Sequence, residues 1–218
     1  MNSIPTSDSS GERREPPGLE AVVTRASILE CQEMTKDEQR VVEAAPELVT
    51  RQDVIDASWT AESLRVLRWA LGNFEALPPY DVQAEPLTGF RLLSDDEGPR
   101  TESKLRERRE IERARDVAEL WHWRSRTRQL QEKGERVELP DGQTLDDVVR
   151  VVAMRAAQDG VFPFALDDDF PAFGRAYREA RPGQWSQLNS IAMERHRALN
   201  WLCGYAPGNR WDETPTDT

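Results

Sequence analysis

Apolar residues recur every three to four positions over most of the chain, which is the spacing of one face of an α-helix. The clearest stripe predicts a helix over 60–77 and consists of Leu64, Leu67, Leu71 and Phe74. Thr60 is suited to cap the start of this helix, and Pro78 follows its end. Similar patterns predict further helices over about 19–29, 35–44, 102–133, 144–160, 167–177 and 184–203.

The pattern therefore predicts an all-α fold with little or no β structure. We expect a single compact helical domain over 18–218 with about seven helices, centred on those at 60–77, 111–130 and 184–203. Residues 1–17 lack apolar periodicity and read as a disordered arm. Prolines and glycines make 78–101 an irregular connection, with a short helical turn expected around 87–93.

The start of the predicted long helix differs from the rest of it. Residues 102–115 alternate in charge and carry few apolar side chains. Such a pattern is typical of a solvated helix laced by ion pairs. We therefore expect this part of the helix to project from the body of the protein.

Charge and hydropathy argue against three classes of protein: nonspecific nucleic-acid or membrane-surface binders, membrane-spanning proteins and exported proteins. The chain has 218 residues and a net charge of −11, which opposes nonspecific binding to nucleic acids or anionic membranes. No apolar run approaches the roughly 20 residues that span a bilayer. The first residues lack the apolar core of a signal peptide. We expect a soluble cytoplasmic protein that binds no nucleic acid or membrane and needs no cofactor.

The two histidines lie on the long helix and on the final helix. Glu119 and His122 show the Glu-x-x-His spacing found in di-metal helical bundles, so a metal site of Glu119, His122 and His196 is a weak alternative. A structural polar network is favoured, because charged and polar groups on an apolar stripe need partners. The candidate polar cluster, which is either structural or lines a pocket, comprises Asp116, Glu119, His122, Arg195, His196 and Asp212.

Tryptophan is frequent in this chain, with seven copies. Trp121 and Trp123 are two residues apart on the long helix, so their side chains point to different sides. Trp123 is therefore a candidate for a contact surface, although core packing explains most of the tryptophans.

Three stretches carry a family resemblance: SWTAESLRVLRWALG at 58–72, DVAELWHWR at 116–124, and ERHRALNWLCGY with the closing WDETPTDT in 194–218. Together they resemble a bacterial family described as domain of unknown function 4272. The likeness extends from about Ala21 to the last residue, and Asp116, His122 and Trp123 match its pattern on the long helix. It implies a helical fold and no particular activity.

The function hypotheses follow from what the chain lacks. It has no phosphate-binding loop, paired Cys-x-x-Cys or nucleophile elbow. The favoured hypothesis is a non-enzymatic protein-interaction module, acidic and suited to masking a basic partner of unknown identity, as a monomer or homodimer. The alternative is an enzyme or a small-molecule or metal binder with a polar pocket around His122 and His196.

Overall fold

The computed structural model describes residues 36–84, 104–140 and 142–217. Within these residues the protein is mostly helical, as predicted, but has five α-helices rather than about seven. No helix in this part of the chain combines the length and apolar character needed to cross a bilayer. The predicted arm at 1–17, the helix at 19–29 and the turn at 87–93 lie outside the described residues. The helices are α1 (Lys36–Glu43), α2 (Arg51–Ala70), α3 (Arg108–Lys133), α4 (Leu145–Gln158) and α5 (Pro182–Leu202).

The chain divides into two contact units, Met1–Val54 and Ile55–Thr218. In the first unit, Asp53 is the organising residue. Its carboxylate accepts hydrogen bonds from the backbone and hydroxyl of Thr50 and from Arg40 at 2.6 Å. These bonds, with that from Arg40 the strongest, lower the pKa of Asp53 far below its usual value. The charged carboxylate thereby holds the first turn of α2 against α1.

The bounds predicted for α2 are wrong at both ends. The helix begins ten residues or so before Thr60, where Thr50 and Asp53 form a reciprocal capping pair. It ends at Ala70, because Gly72 adopts a left-handed conformation with φ of 78° and its backbone N–H bonds to Trp69. Pro78 follows several residues after the helix has stopped.

The predicted projection of 102–115 is also wrong for the residues that the structure describes. Helix α3 begins at Arg108, and Ile111 in its first turn is buried. Arg106, just before the helix, donates to the carbonyls of Trp69 and Phe74, and Arg113 donates to the carbonyl of Asp159. Arg106 and Arg113 therefore bind backbone carbonyls of the body, whereas Arg108 is exposed and pairs with Glu112.

The predicted helix over 167–177 is replaced by a short antiparallel hairpin. Strands β1 (Pro171–Ala172) and β2 (Arg175–Ala176) pair Pro171 with Ala176, and a 3-10 turn follows at Tyr177–Glu179. Phe173 and Gly174 make the turn with φ of 52° and 70°. Asp81 accepts the backbone N–H of Phe173 at 2.7 Å, which stabilises this unusual conformation for a bulky residue.

The core of the second unit lies between α3 and α5, the helices with the most extensive contact. Trp121 of α3 is its aromatic centre: it stacks on Tyr80 with centroids 4.9 Å apart and meets Phe170 edge-on at 5.2 Å. Helix α4 packs on α3 and begins with a reciprocal capping pair of Thr144 and Asp147, close to the start of the helix predicted over 144–160. This packing places one face each of α3 and α5 in the interior, together with the polar side chains on those faces.

Candidate functional site

The two histidines face each other across the contact between α3 and α5. Nδ1 of His122 lies 3.2 Å from Nδ1 of His196. Their side chains are 4% and 0% exposed, respectively. Two ring nitrogens at this distance form a hydrogen bond only when one carries a proton and the other does not. The pair therefore requires at least one neutral imidazole.

The protonation of the pair follows from Asn200, one helical turn after His196. The amide oxygen of Asn200 accepts a hydrogen bond from Nε of Arg115 at 2.9 Å, which fixes the amide orientation. Its nitrogen then donates to Nε2 of His196 at 3.0 Å. His196 must accept at Nε2 and carry its proton on Nδ1. His122 consequently accepts at Nδ1 and carries its proton on Nε2.

Both imidazoles are held in the neutral form. Burial is the main cause that lowers the pKa of His122 to about 4, and Arg126 adds to the effect while Asp217 opposes it. Burial likewise lowers the pKa of His196 to about 4, with further contributions from His122 and Arg115. A positive charge on either ring would have to be accommodated in the apolar interface of two helices.

Asp116 and Glu119, the carboxylates expected near the histidines, are linked to them only through other side chains. Nη1 of Arg115 donates to Glu119 at 2.7 Å and to Asp116 at 3.2 Å. Glu119 is 39% exposed and Asp116 is 72% exposed. A chain of hydrogen bonds thus runs from this surface ion cluster through Arg115 and Asn200 to the buried imidazoles.

Arg195 belongs to a different network. Its Nε donates to Glu62 of α2 at 2.9 Å, and both side chains are fully buried. Its other nitrogens donate to the carbonyls of Pro78 and Val82, and Glu62 also accepts the backbone N–H of Ala84. The ion pair therefore fixes the segment 78–84 against α2 and α5, and the carboxylates expected on the long helix or in the tail take no part.

No hydrogen bond joins the remaining two predicted residues to the histidines within the described residues. Asp212 is exposed in the 3-10 turn Trp211–Glu213, where its charge acts on Arg210. Trp123 is half-buried and packs against the hydrophobic core. Of the predicted polar cluster, the structure joins Asp116, Glu119, His122 and His196, and it places Arg195 and Asp212 elsewhere.

The metal alternative finds no support in the geometry. Glu119 is engaged by Arg115, and the imidazole nitrogens that approach each other bond directly. Over the described ranges, no three histidine, cysteine or acidic side chains are grouped as a metal site would need.

Sequence reasoning missed Arg115, Asn200 and Glu62. The spacing could have indicated the first two, because Asn200 follows His196 by four residues and Arg115 precedes His122 by seven, so each shares a helix face with its histidine. Glu62 falls in the first turn of the helix predicted from Thr60, where an acid complements the positive end of the helix dipole. In the structure Glu62 lies in the middle of α2 and is buried.

Comparison with known proteins gives one match. A family model described as domain of unknown function (DUF4272) matches residues 10–157. No curated protein and no solved structure matches the chain. The match includes His122 and all of helix α4 except its last residue. The resemblance expected for 194–218, and with it His196, lies beyond the matched residues. Because the match covers more than half of the sequence, the chain belongs to the DUF4272 family.

Proposed function

We propose that this protein is a non-enzymatic interaction module that binds a basic protein partner through the outer face of α4. The supporting observation is the exposure of two apolar side chains on that face, Val151 at 63% and Met154 at 50%. They lie three residues apart and therefore side by side on the helix. The opposite face of α4 is buried through Val149, Ala153 and Ala156.

The surroundings of these two side chains resemble the organisation of a small protein interface. Arg150 pairs with Asp147, and Arg155 pairs with Asp159, on either side of the apolar centre. An apolar centre within a polar rim is the usual arrangement of an interface, because the rim limits the access of water. Fully burying an exposed valine or methionine contributes about 1.5–3 kcal/mol, so these half-exposed residues would contribute roughly half of that each.

The net charge supports a basic partner. A charge of −11 attracts positively charged proteins and accelerates their encounter. Most of the excess acidic residues fall in stretches outside the described ranges, chiefly 1–35 and 85–103. The charge therefore supports the choice of partner, and the α4 face supports the place of contact.

The alternative, an enzyme or a small-molecule binder at the histidines, has weaker support. His122 and His196 are enclosed between α3 and α5, so a substrate would reach them only after part of the protein had moved. Their low pKa suits a neutral acceptor or donor, but no neighbouring nucleophile accompanies them among the hydrogen-bonded residues of the described part.

A site-specific crosslink in cells tests the proposal. A photoreactive amino acid replaces Val151 in one strain and Leu105, an apolar residue that is 53% exposed elsewhere, in a control strain. We expect irradiation to produce a discrete adduct with one basic protein from position 151 only. Val151→Glu should abolish co-purification of that protein without changing the melting temperature, and raised salt should weaken the complex.

Three outcomes would contradict the proposal. Equal adducts from both positions would indicate random collision, and no adduct from position 151 would exclude the α4 face. An adduct with a second copy of this chain would replace the basic partner with a homodimer.

A further inference from the structure

Two arginines on one face of α3 have buried nitrogens without a protein partner. The Arg124 side chain is 1% exposed, and its Nη1 donates to no acceptor within the described residues. The Nε of Arg128, one helical turn later, is buried without a partner as well. Residues four apart on a helix are neighbours, with Cβ atoms about 5–6 Å apart. Because a buried charged donor without an acceptor is strongly unfavourable, this face of α3 favours a hydrogen-bond acceptor.

The rest of the Arg124 guanidinium is held in place by residues on either side of the hairpin. Its Nε and Nη2 each donate to Asp169 at 2.7 Å, and its Cζ lies 4.5 Å from the centroid of the Tyr177 ring. The hydroxyl of Tyr177 is in turn 2.9 Å from that of Ser125. Asp169 also accepts two backbone N–H groups, so each of its oxygens is engaged twice. These contacts fix the orientation of Arg124 and leave its Nη1 available to a ligand.

The type of donor selects the class of ligand. Arg175 of β2 lies two residues before Tyr177, and its Nε is likewise buried without a partner in the described part of the chain. Glu132 pairs with Arg128 through Nη2, so the Nε of Arg128 remains available. Guanidinium groups form strong, charge-assisted hydrogen bonds with the oxygens of phosphates and carboxylates. The donors on this face of α3 and on β2 therefore suit an oxyanion.

We propose that α3 binds the oxyanion of a small molecule, a phosphate or a carboxylate group, at Arg124 and Arg128 next to the hairpin. Nη1 of Arg124 and Nε of Arg128 donate to its oxygens, and Arg175 adds a donor from β2. Arg128 is 22% exposed, so the anion enters from solvent beside this side chain. The site contains no residue of the outer face of α4, and its ligand binds independently of the proposed protein partner.

Calorimetric titration of the full chain with inorganic phosphate tests this site. Acetate is the probe for a carboxylate ligand, and chloride at equal ionic strength is the blank. Arg128→Gln and Arg175→Gln each remove one proposed donor. Arg126→Gln is the matched control, because Arg126 lies on the same helix between Arg124 and Arg128 but is exposed and bonds to Gln129. Circular dichroism establishes that each variant is folded.

We expect phosphate or acetate to bind the wild type saturably at a single site. Arg128→Gln and Arg175→Gln should each weaken binding at least about tenfold, the effect of losing one hydrogen bond to a charged group. Arg126→Gln should bind as tightly as the wild type. The 15N resonances of the Arg124 guanidinium should shift on saturation, because this buried group contacts the anion directly. Preference for acetate over phosphate would assign the site to a carboxylate ligand, and the reverse preference to a phosphate.

Three results would overturn the proposal. If neither anion binds saturably, water satisfies the buried nitrogens. If Arg126→Gln weakens binding as much as Arg128→Gln, the anion responds only to the charge of the surface. If the Arg124 resonances stay unchanged in the wild type at saturation, the anion binds elsewhere, and this result is independent of how well any variant folds.

Discussion

The buried pair of Glu62 and Arg195 allows a quantitative test of what holds the second unit together. Replacement of Glu62 by alanine leaves the guanidinium of Arg195 in the core without a counter-charge. It also removes the acceptor of the Ala84 backbone N–H. Removing one partner of a fully buried ion pair costs about 3–5 kcal/mol. A domain is typically stable by only about 5–15 kcal/mol, so we expect a large fraction of the stability to be lost.

An exposed ion pair provides the control. Arg108 and Glu112 form a bond of 2.7 Å on α3, but their side chains are 86% and 45% exposed. Solvent screens such a pair, and its removal costs about 0–1 kcal/mol. Glu112→Ala therefore measures the loss of an acidic side chain whose bond to arginine is as short as that of Glu62, at 2.7 Å against 2.9 Å, but is not buried.

The assay is equilibrium unfolding in urea at pH 7, followed by circular dichroism. We expect the midpoint of Glu62→Ala to fall well below that of Glu112→Ala with an unchanged slope. The double variant Glu62→Leu/Arg195→Met should regain part of the loss, because it removes the unpaired charge. The recovery should be incomplete, since Pro78 and Val82 lose their donor. A Glu62→Ala variant within about 1 kcal/mol of the control would refute the reasoning.

Two further predictions concern pH and helix capping. The unfolded chain takes up protons on histidine near pH 6.5, whereas the folded pKa of His122 and His196 is lowered to about 4. The free energy of unfolding should therefore decrease as the pH falls from about 6.5 to 4. Urea titrations at several pH values should show a smaller decrease for His122→Gln than for the wild type. An equal dependence of the unfolding free energy on pH in both proteins would contradict the assigned burial. Thr144→Ala should destabilise α4 by about 1 kcal/mol, because it removes the capping bond to Asp147, whereas Thr144→Ser should retain most of the stability in the same thermal unfolding assay.

The fold was predictable where local signals agree with each other. The capping pair at Thr144 and the periodicity after it define α4 almost to the residue. The pair at Thr50 and Asp53 is also a capping signal. The start of α2 was nevertheless predicted too late in the sequence, because the prediction followed the apolar stripe that begins at Leu64. The hairpin turn could not be predicted, because Phe173 adopts a left-handed conformation that depends on Asp81, 92 residues away in the sequence.

The sequence predicted several residues of the site, but it did not predict which of them are hydrogen-bond partners. Helical spacing placed His122 and His196 on interior faces, but nothing in the sequence gives the offset between α3 and α5 along their axes. This axial offset decides whether each histidine contacts the other histidine or a carboxylate. The partner of Arg195 was missed for a related reason, since Glu62 appears buried only once α2 is known to begin near Arg51.

The buried ion pairs also constrain the order in which the chain can fold. Glu62 and Arg195 are 133 residues apart in the sequence, and Arg124 and Asp169, which form a second buried pair, are 45 apart. A compact intermediate that enclosed one member without the other would hold an uncompensated charge in its interior. Partly folded intermediates with an incomplete core are therefore unstable and should not accumulate. We expect residues 55–217 to unfold in one cooperative step, with refolding limited by the closure of the long loop between α2 and α5.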